Sequence, residues 1–115
     1  MGKERMRRVN EAVREVLGTA ISTELKDPRV GFVTVTAVDT SADLRHARVF
    51  VSVLGDEHRR EDSLAGLSSS RGYLQGRVAR ELRLKHTPQL QFQYDPTTDR
   101  GMRITQLLRE EQGAA

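Results

Sequence analysis

Residues 61–84 read EDSLAGLSSSRGYLQGRVARELRL, and the middle of this stretch decides the fold. Leu64, Leu67, Leu74, Val78 and Leu82 fall at helical spacing. Ser68-Ser69-Ser70-Arg71-Gly72 interrupts the stripe, and Gly76 follows. Serine and glycine are weak helix formers, glycine costing about 1 kcal/mol relative to alanine. The run therefore predicts two shorter helices meeting at a bend at Ser70, Arg71 and Gly72. On this reading Gly72 serves the bend, and a branched side chain there should clash. In a nearly continuous helix, Ala65, Ser69, Gly72, Gly76 and Ala79 would instead form a stripe of small residues open to close approach by another backbone.

Upstream, Met6, Val9, Val13, Val16, Leu17, Ala20 and Ile21 share one face of a helix over about 4–25. Pro28 stands beyond its end and disfavours helical geometry at Asp27. Two strands follow. In 31–38, Val33, Val35 and Ala37 are expected on one face. In 45–54, Ala47, Val49, Val51 and Val53 are expected on one face, with Arg48, Phe50 and Ser52 on the other. Turn residues at 39–43 between them predict an antiparallel hairpin, and 55–60 reads as a polar loop. Downstream of the bent pair, Pro88 introduces a third strand at 90–94 with strict alternation. Residues 95–99 read as a turn, and a last helix is expected over about 101–111, with Ile104, Leu107 and Leu108 inward. The class is α+β: a three-stranded sheet with helices packed on one face.

The length of 115 residues suits one domain, 1–115, with a core fold over about 5–95 and a turn, helix and short tail in 96–115. There is no cysteine, which removes disulfides, thiolate metal sites and a cysteine nucleophile. No stretch approaches the ~20 apolar residues of a membrane span, and the charged start MGKERMRR lacks a signal peptide's apolar core. A cytoplasmic protein is expected. His46, His58 and His86 are scattered, and no HExxH, Walker-type or nucleophile-elbow pattern occurs. The expectation is a non-enzyme without metal or cofactor.

The net charge is +3, and its distribution carries more information than its size. Residues 1–14 hold Lys3, Arg5, Arg7, Arg8 and Arg14 against two glutamates. Residues 71–86 hold Arg71, Arg77, Arg80, Arg83 and Lys85 against Glu81 alone, whereas 39–62 is net acidic. Clustered cations beside acidic stretches form an electrostatic footprint for a polyanion. Cations crowding the start of a helix oppose its macrodipole, typically by a few tenths of a kcal/mol each. A sequence chosen only for helix stability would place acids there; an anionic partner would explain the bias, and so would a frayed terminus, where the dipole effect vanishes. In the second cluster Arg77, Arg80 and Arg83 lie opposite the Leu74, Val78, Leu82 stripe, where they are expected to face a ligand without supporting the fold. Guanidinium forks suit phosphate oxygens, and Tyr73 beside them offers a ring for base stacking.

The chain resembles the bacterial ribosome-binding factor A family over about residues 5–109. The resemblance rests on Arg8-Val9, on Glu24-Leu25-Lys26-Asp27-Pro28-Arg29, and on Val33 to Val38. It continues through Ser41-Ala42-Asp43-Leu44, Ala47 to Val53, Thr87 to Asp95, and Gly101-Met102-Arg103-Ile104. It implies a type II KH-like fold, α-β-β-α-kink-α-β, in which an Ala-x-Gly kink replaces the phosphate loop. Here Ser70-Arg71-Gly72 holds that place, with serine for the usual alanine. The implied role is binding the free 30S subunit and its 16S rRNA, supporting late maturation and 5′-end processing, including in the cold. The implied partners are the 30S subunit and 16S rRNA, with small-subunit ribosomal proteins as further candidates, for a chain acting as a monomer. The residues themselves leave a second reading open, a protein-interaction or dimerisation module using a sheet edge or the small-residue stripe without direct RNA contact.

Overall fold

The computed structural model describes residues 2–97. The expected last helix and the end of the turn before it lie outside these residues. The order is α1 (Gly2–Thr23), β1 (Val33–Thr40), β2 (His46–Val53), α2 (Glu57–Ser69), α3 (Arg71–Leu82) and β3 (Gln89–Tyr94). The sheet runs β1-β2-β3, with β1 and β2 antiparallel. β2 and β3 are parallel, from His46 beside Gln89 to Val51 beside Tyr94. A parallel pair needs a long crossover, and the bent helix pair supplies it.

The apolar stripe of α1 buries Val13, Leu17, Ala20 and Ile21 against the sheet. In β2, Ala47, Val49, Val51 and Val53 point inward, as the alternation requires. β1 departs from its expected pattern. Its register shifts between Val35 and Ala37, so the extra residue reverses the alternation beyond it. Val38 and Thr40 are therefore buried, and Ala37 is exposed.

The bent pair breaks where its sequence is weakest. Ser70 ends α2 by donating its N–H to Gly66 O and Leu67 O, each at 3.1 Å. It starts α3 by accepting Leu74 N–H at 3.0 Å. Three expectations need correction. The segment 55–60 is not wholly loop: Gly55, at φ 128°, makes the turn, and Asp56 caps α2 by accepting Arg59 N–H at 2.9 Å. Gly72 is an exposed residue of α3, and a Cβ added there would meet nothing within 4 Å, so no clash guards the bend. The small-residue stripe does not form, because the helix is broken and most of its members face solvent. Close approach occurs at Gly66, where an added Cβ would lie 2.7 Å from Val30 Cγ2.

The segment between α1 and β1 is pinned to α2. Asp27 accepts Arg29 N–H at 2.9 Å and the Arg29 guanidinium at 2.7 Å. These bonds hold the pKa of its carboxyl down at about 2. The buried Ser63 hydroxyl accepts Gly31 N–H at 3.2 Å. At the other border of the sheet, the Gln75 side-chain oxygen accepts Leu90 N–H at 3.0 Å, blunting the edge of β3.

Candidate nucleic-acid interface

The first turns of α1 are anchored over the end of the hairpin by one residue. Asn10 Oδ1 accepts Thr40 N–H at 2.9 Å. The hairpin turn is knitted by Ser41 and Asp43: Ser41 Oγ donates to Asp43 Oδ1 at 2.6 Å, and Asp43 Oδ1 also accepts Arg45 N–H at 3.1 Å. Leu44 takes a left-handed conformation, φ 62°, uncommon for a leucine, and its side chain is buried. The α3–β3 connection then arrives beside this turn.

Together these pieces line a groove of about 670 Å³. Lys3, Arg5, Lys85 and His86 contribute to it, and Met6, Ala42 and Leu44 are its apolar members. Asp39 and Asp43 also line it, but their charges have partners. Asp39 holds the Arg48 guanidinium at 2.7 Å. Asp43 is kept below its usual pKa by the Ser41 hydroxyl and then by the Arg45 N–H. Lys3, Arg5 and Lys85 have no ion-pair partner among the described residues. The carboxylates are neutralised within the protein while these cations are not, so the groove presents positive charge outward.

The fold therefore joins part of one basic cluster to part of the other, and it separates the rest. Arg7 and Arg8 approach Glu4 at 2.8 and 3.8 Å, which shares out their charge. Arg71 reaches a second, smaller cleft of about 290 Å³ with His46, Arg48, Gln89 and Gln91. Its Nε is buried without a hydrogen-bond partner among the described residues. Arg83 ends α3 in a left-handed conformation, φ 47°, donating its N–H to Ala79 O at 3.2 Å, while Arg80 is exposed.

Arg77 departs from the expectation that it leaves the fold unsupported. It is only 21% exposed and ties α3 to the end of α1, meeting Glu24 at 3.0 Å and Glu81 at 2.9 Å. Tyr73 donates its hydroxyl to the same Glu24, which lowers the glutamate pKa and raises the tyrosine's. The Tyr73 hydroxyl is thus committed to the fold. Arg77→Gln is expected to lower the melting temperature by a few degrees and leave small-subunit affinity unchanged, whereas Arg80→Gln should not alter melting. Thermal unfolding of the two variants side by side checks this.

Sequence reasoning missed Asn10, Thr40 and His86 as members of this groove. Asn10 carries the one usable signal, a polar residue at the margin of an apolar helix face. Thr40 and His86 gain their meaning only from distant neighbours.

The fold and its groove define a class: small α-β-β-α-α-β domains that carry unpaired cations at one end of the sheet. Within that class the chain belongs to the ribosome-binding factor A family, whose model matches residues 5–108. It is 46% identical to ribosome-binding factor A of Brevibacillus brevis over 110 residues, 96% of this chain and 91% of that one. The protein of the same name from Natranaerobius thermophilus is 40% identical over 110 residues, covering 96% and 84%. The crystal structure of ribosome-binding factor A from Thermus thermophilus superposes with a TM-score of 0.69 at 29% identity, covering 77% of this chain and 94% of that one. Thermus thermophilus ribosome-binding factor A fitted into the cryo-EM map of a complex with the 30S subunit gives a TM-score of 0.63 at 30% identity, covering 76% and 91%.

Proposed function

We propose that this chain is a ribosome assembly factor that binds the free 30S subunit through 16S rRNA. In this reading it supports late maturation and 5′-end processing of that RNA, including at low temperature, in the cytoplasm and without catalysing a reaction. The observation that carries it is the meeting of Lys3 and Arg5 with Lys85 in one groove, from remote parts of the chain and without carboxylate partners among the described residues. Cations left unpaired at one place are the footprint of phosphate binding. The Thermus thermophilus relative fitted into a 30S complex supports the choice of the 30S subunit. The α-β-β-α-α-β order is compatible with a type II KH-like domain, with Ser70-Arg71-Gly72 as its kink.

The test is sedimentation of the full chain with purified small subunits, large subunits and joined ribosomes over a range of salt. Retention on free small subunits, falling steeply as salt rises, is expected. Equal, salt-insensitive retention on every particle would overturn the reading. It would favour a protein-interaction module instead, for which exposed Phe32 and Leu54, 79% and 68% accessible, are the apolar candidates.

A further inference from the structure

Thr40 closes β1 at the groove, and it is only 6% exposed. Its N–H is satisfied by Asn10. Its hydroxyl has no hydrogen-bond partner among the described residues. A buried hydroxyl left unpaired destabilises the fold that contains it, and buried polar groups usually have partners. A valine would fill the same space without that cost. The position therefore holds a group that the free protein does not use.

The neighbouring residues indicate what would use it. Met6, Ala42 and Leu44 give the groove an apolar lining that suits the face of a flat ring. His86 and Arg5 supply planar groups of the kind on which unstacked RNA bases rest. Asp39 and Asp43 add acceptor oxygens at the groove wall, already held in part by Arg48 and by Ser41 and the Arg45 N–H. Lys3, Arg5 and Lys85 suit phosphates on either side of the base. The volume of about 670 Å³ falls within the usual range for a small-molecule pocket, room enough for a single nucleotide.

We propose that this groove holds one unpaired RNA nucleotide, with the edge of its base hydrogen-bonded to the Thr40 hydroxyl and its flanking phosphates on Lys3, Arg5 and Lys85. The proposal rests on the ribosomal-RNA reading above and deepens it. The Thr40 hydroxyl lies just beneath the groove surface, so in this proposal a lining side chain moves aside as the base enters.

The full chain, labelled for NMR, is titrated with two single-stranded pentanucleotides. Both carry uridines at the outer positions, and the centre is adenosine in one and abasic in the other. Adenosine should bind about tenfold tighter, as base stacking predicts, with amide shifts centred on Thr40, Leu44 and His86. Thr40→Val should weaken the adenosine oligomer about fivefold, leave the abasic one unchanged and raise the melting temperature. A merely structural threonine would lower stability and leave the base preference intact, and that outcome overturns the proposal. So does equal affinity for both oligomers. Should base preference be absent while the chain still sediments with small subunits, the nucleotide pocket falls and the ribosomal reading stands. Should both be absent, both fall.

Discussion

Replacing Lys3, Arg5 and Lys85 together with glutamine is expected to weaken small-subunit binding by about fiftyfold to a hundredfold near physiological salt. Each phosphate neutralised contributes roughly 0.7 to 0.9 to the slope of log affinity against log salt. Three lost contacts remove about 2 to 3 from that slope, and at ~0.15 M this is about two orders of magnitude. The melting temperature should barely move, because these side chains make no ion pair that the fold depends on. Glutamine keeps polarity and most of the length, so lost charge is what is tested. Arg7→Gln with Arg8→Gln is the internal control. Both arginines belong to the same basic run, but Glu4 shares their charge, so a smaller loss is expected. The measurement is affinity at four or five salt concentrations for each variant. Equal losses for the two sets would mean that the groove has no special part in binding. An unchanged slope in the triple variant would move the RNA contact to Arg71 and its cleft.

What is legible in the sequence, and what is not, follows from the range of each signal. Alternation in β2 and the helical stripe of α1 are local, and Val49, Val51, Val13 and Leu17 all lie where their spacing requires. The break at Ser70 is legible for the same reason, since weak helix formers mark it in consecutive residues. Alternation alone puts Ala37 on the wrong face because a bulge is a property of two paired strands, and its partner Phe50 is remote in sequence. Arg77 escapes the sequence reading because helix geometry says which way a residue faces, not whether a glutamate just past the end of another helix waits there. The groove is invisible as a unit for the same reason. Lys3 and Lys85 are remote in sequence, and the packing of α1 on the sheet, the bond from Thr40 to Asn10 and the return of the chain after α3 bring them together.

Two glycines show the same limit as a matter of stability, with opposite signs expected for one substitution. Gly66→Ala would place a Cβ 2.7 Å from Val30 Cγ2 and 3.4 Å from both Arg29 Cβ and Asp27 Cγ. Val30 is β-branched and packs against the core. Its backbone is held by the bond from Val30 N–H to Asp27 O at 3.1 Å and, one residue on, by Gly31 N–H to Ser63. The neighbour therefore cannot swing aside as a lysine would. Overpacking of this kind costs about 1–3 kcal/mol, and the better helix propensity of alanine returns about 1. A net loss of up to about 2 kcal/mol is expected, or a fall in melting temperature of up to about 10 °C. Gly72→Ala places its Cβ in open space and at a helical position. The unfolded chain loses freedom and the helix gains a better former, so a rise of a few degrees is expected. Thermal unfolding of the two variants beside the parent decides it. An unchanged melting temperature for Gly66→Ala would show that α2 can back away from the 27–31 segment. A fall for Gly72→Ala would restore the bend as the reason for a glycine there. With the expected pair of signs, the constraint lies one turn before the bend: α2 needs a bare backbone where it crosses Val30, and Ser70 alone suffices to turn the chain.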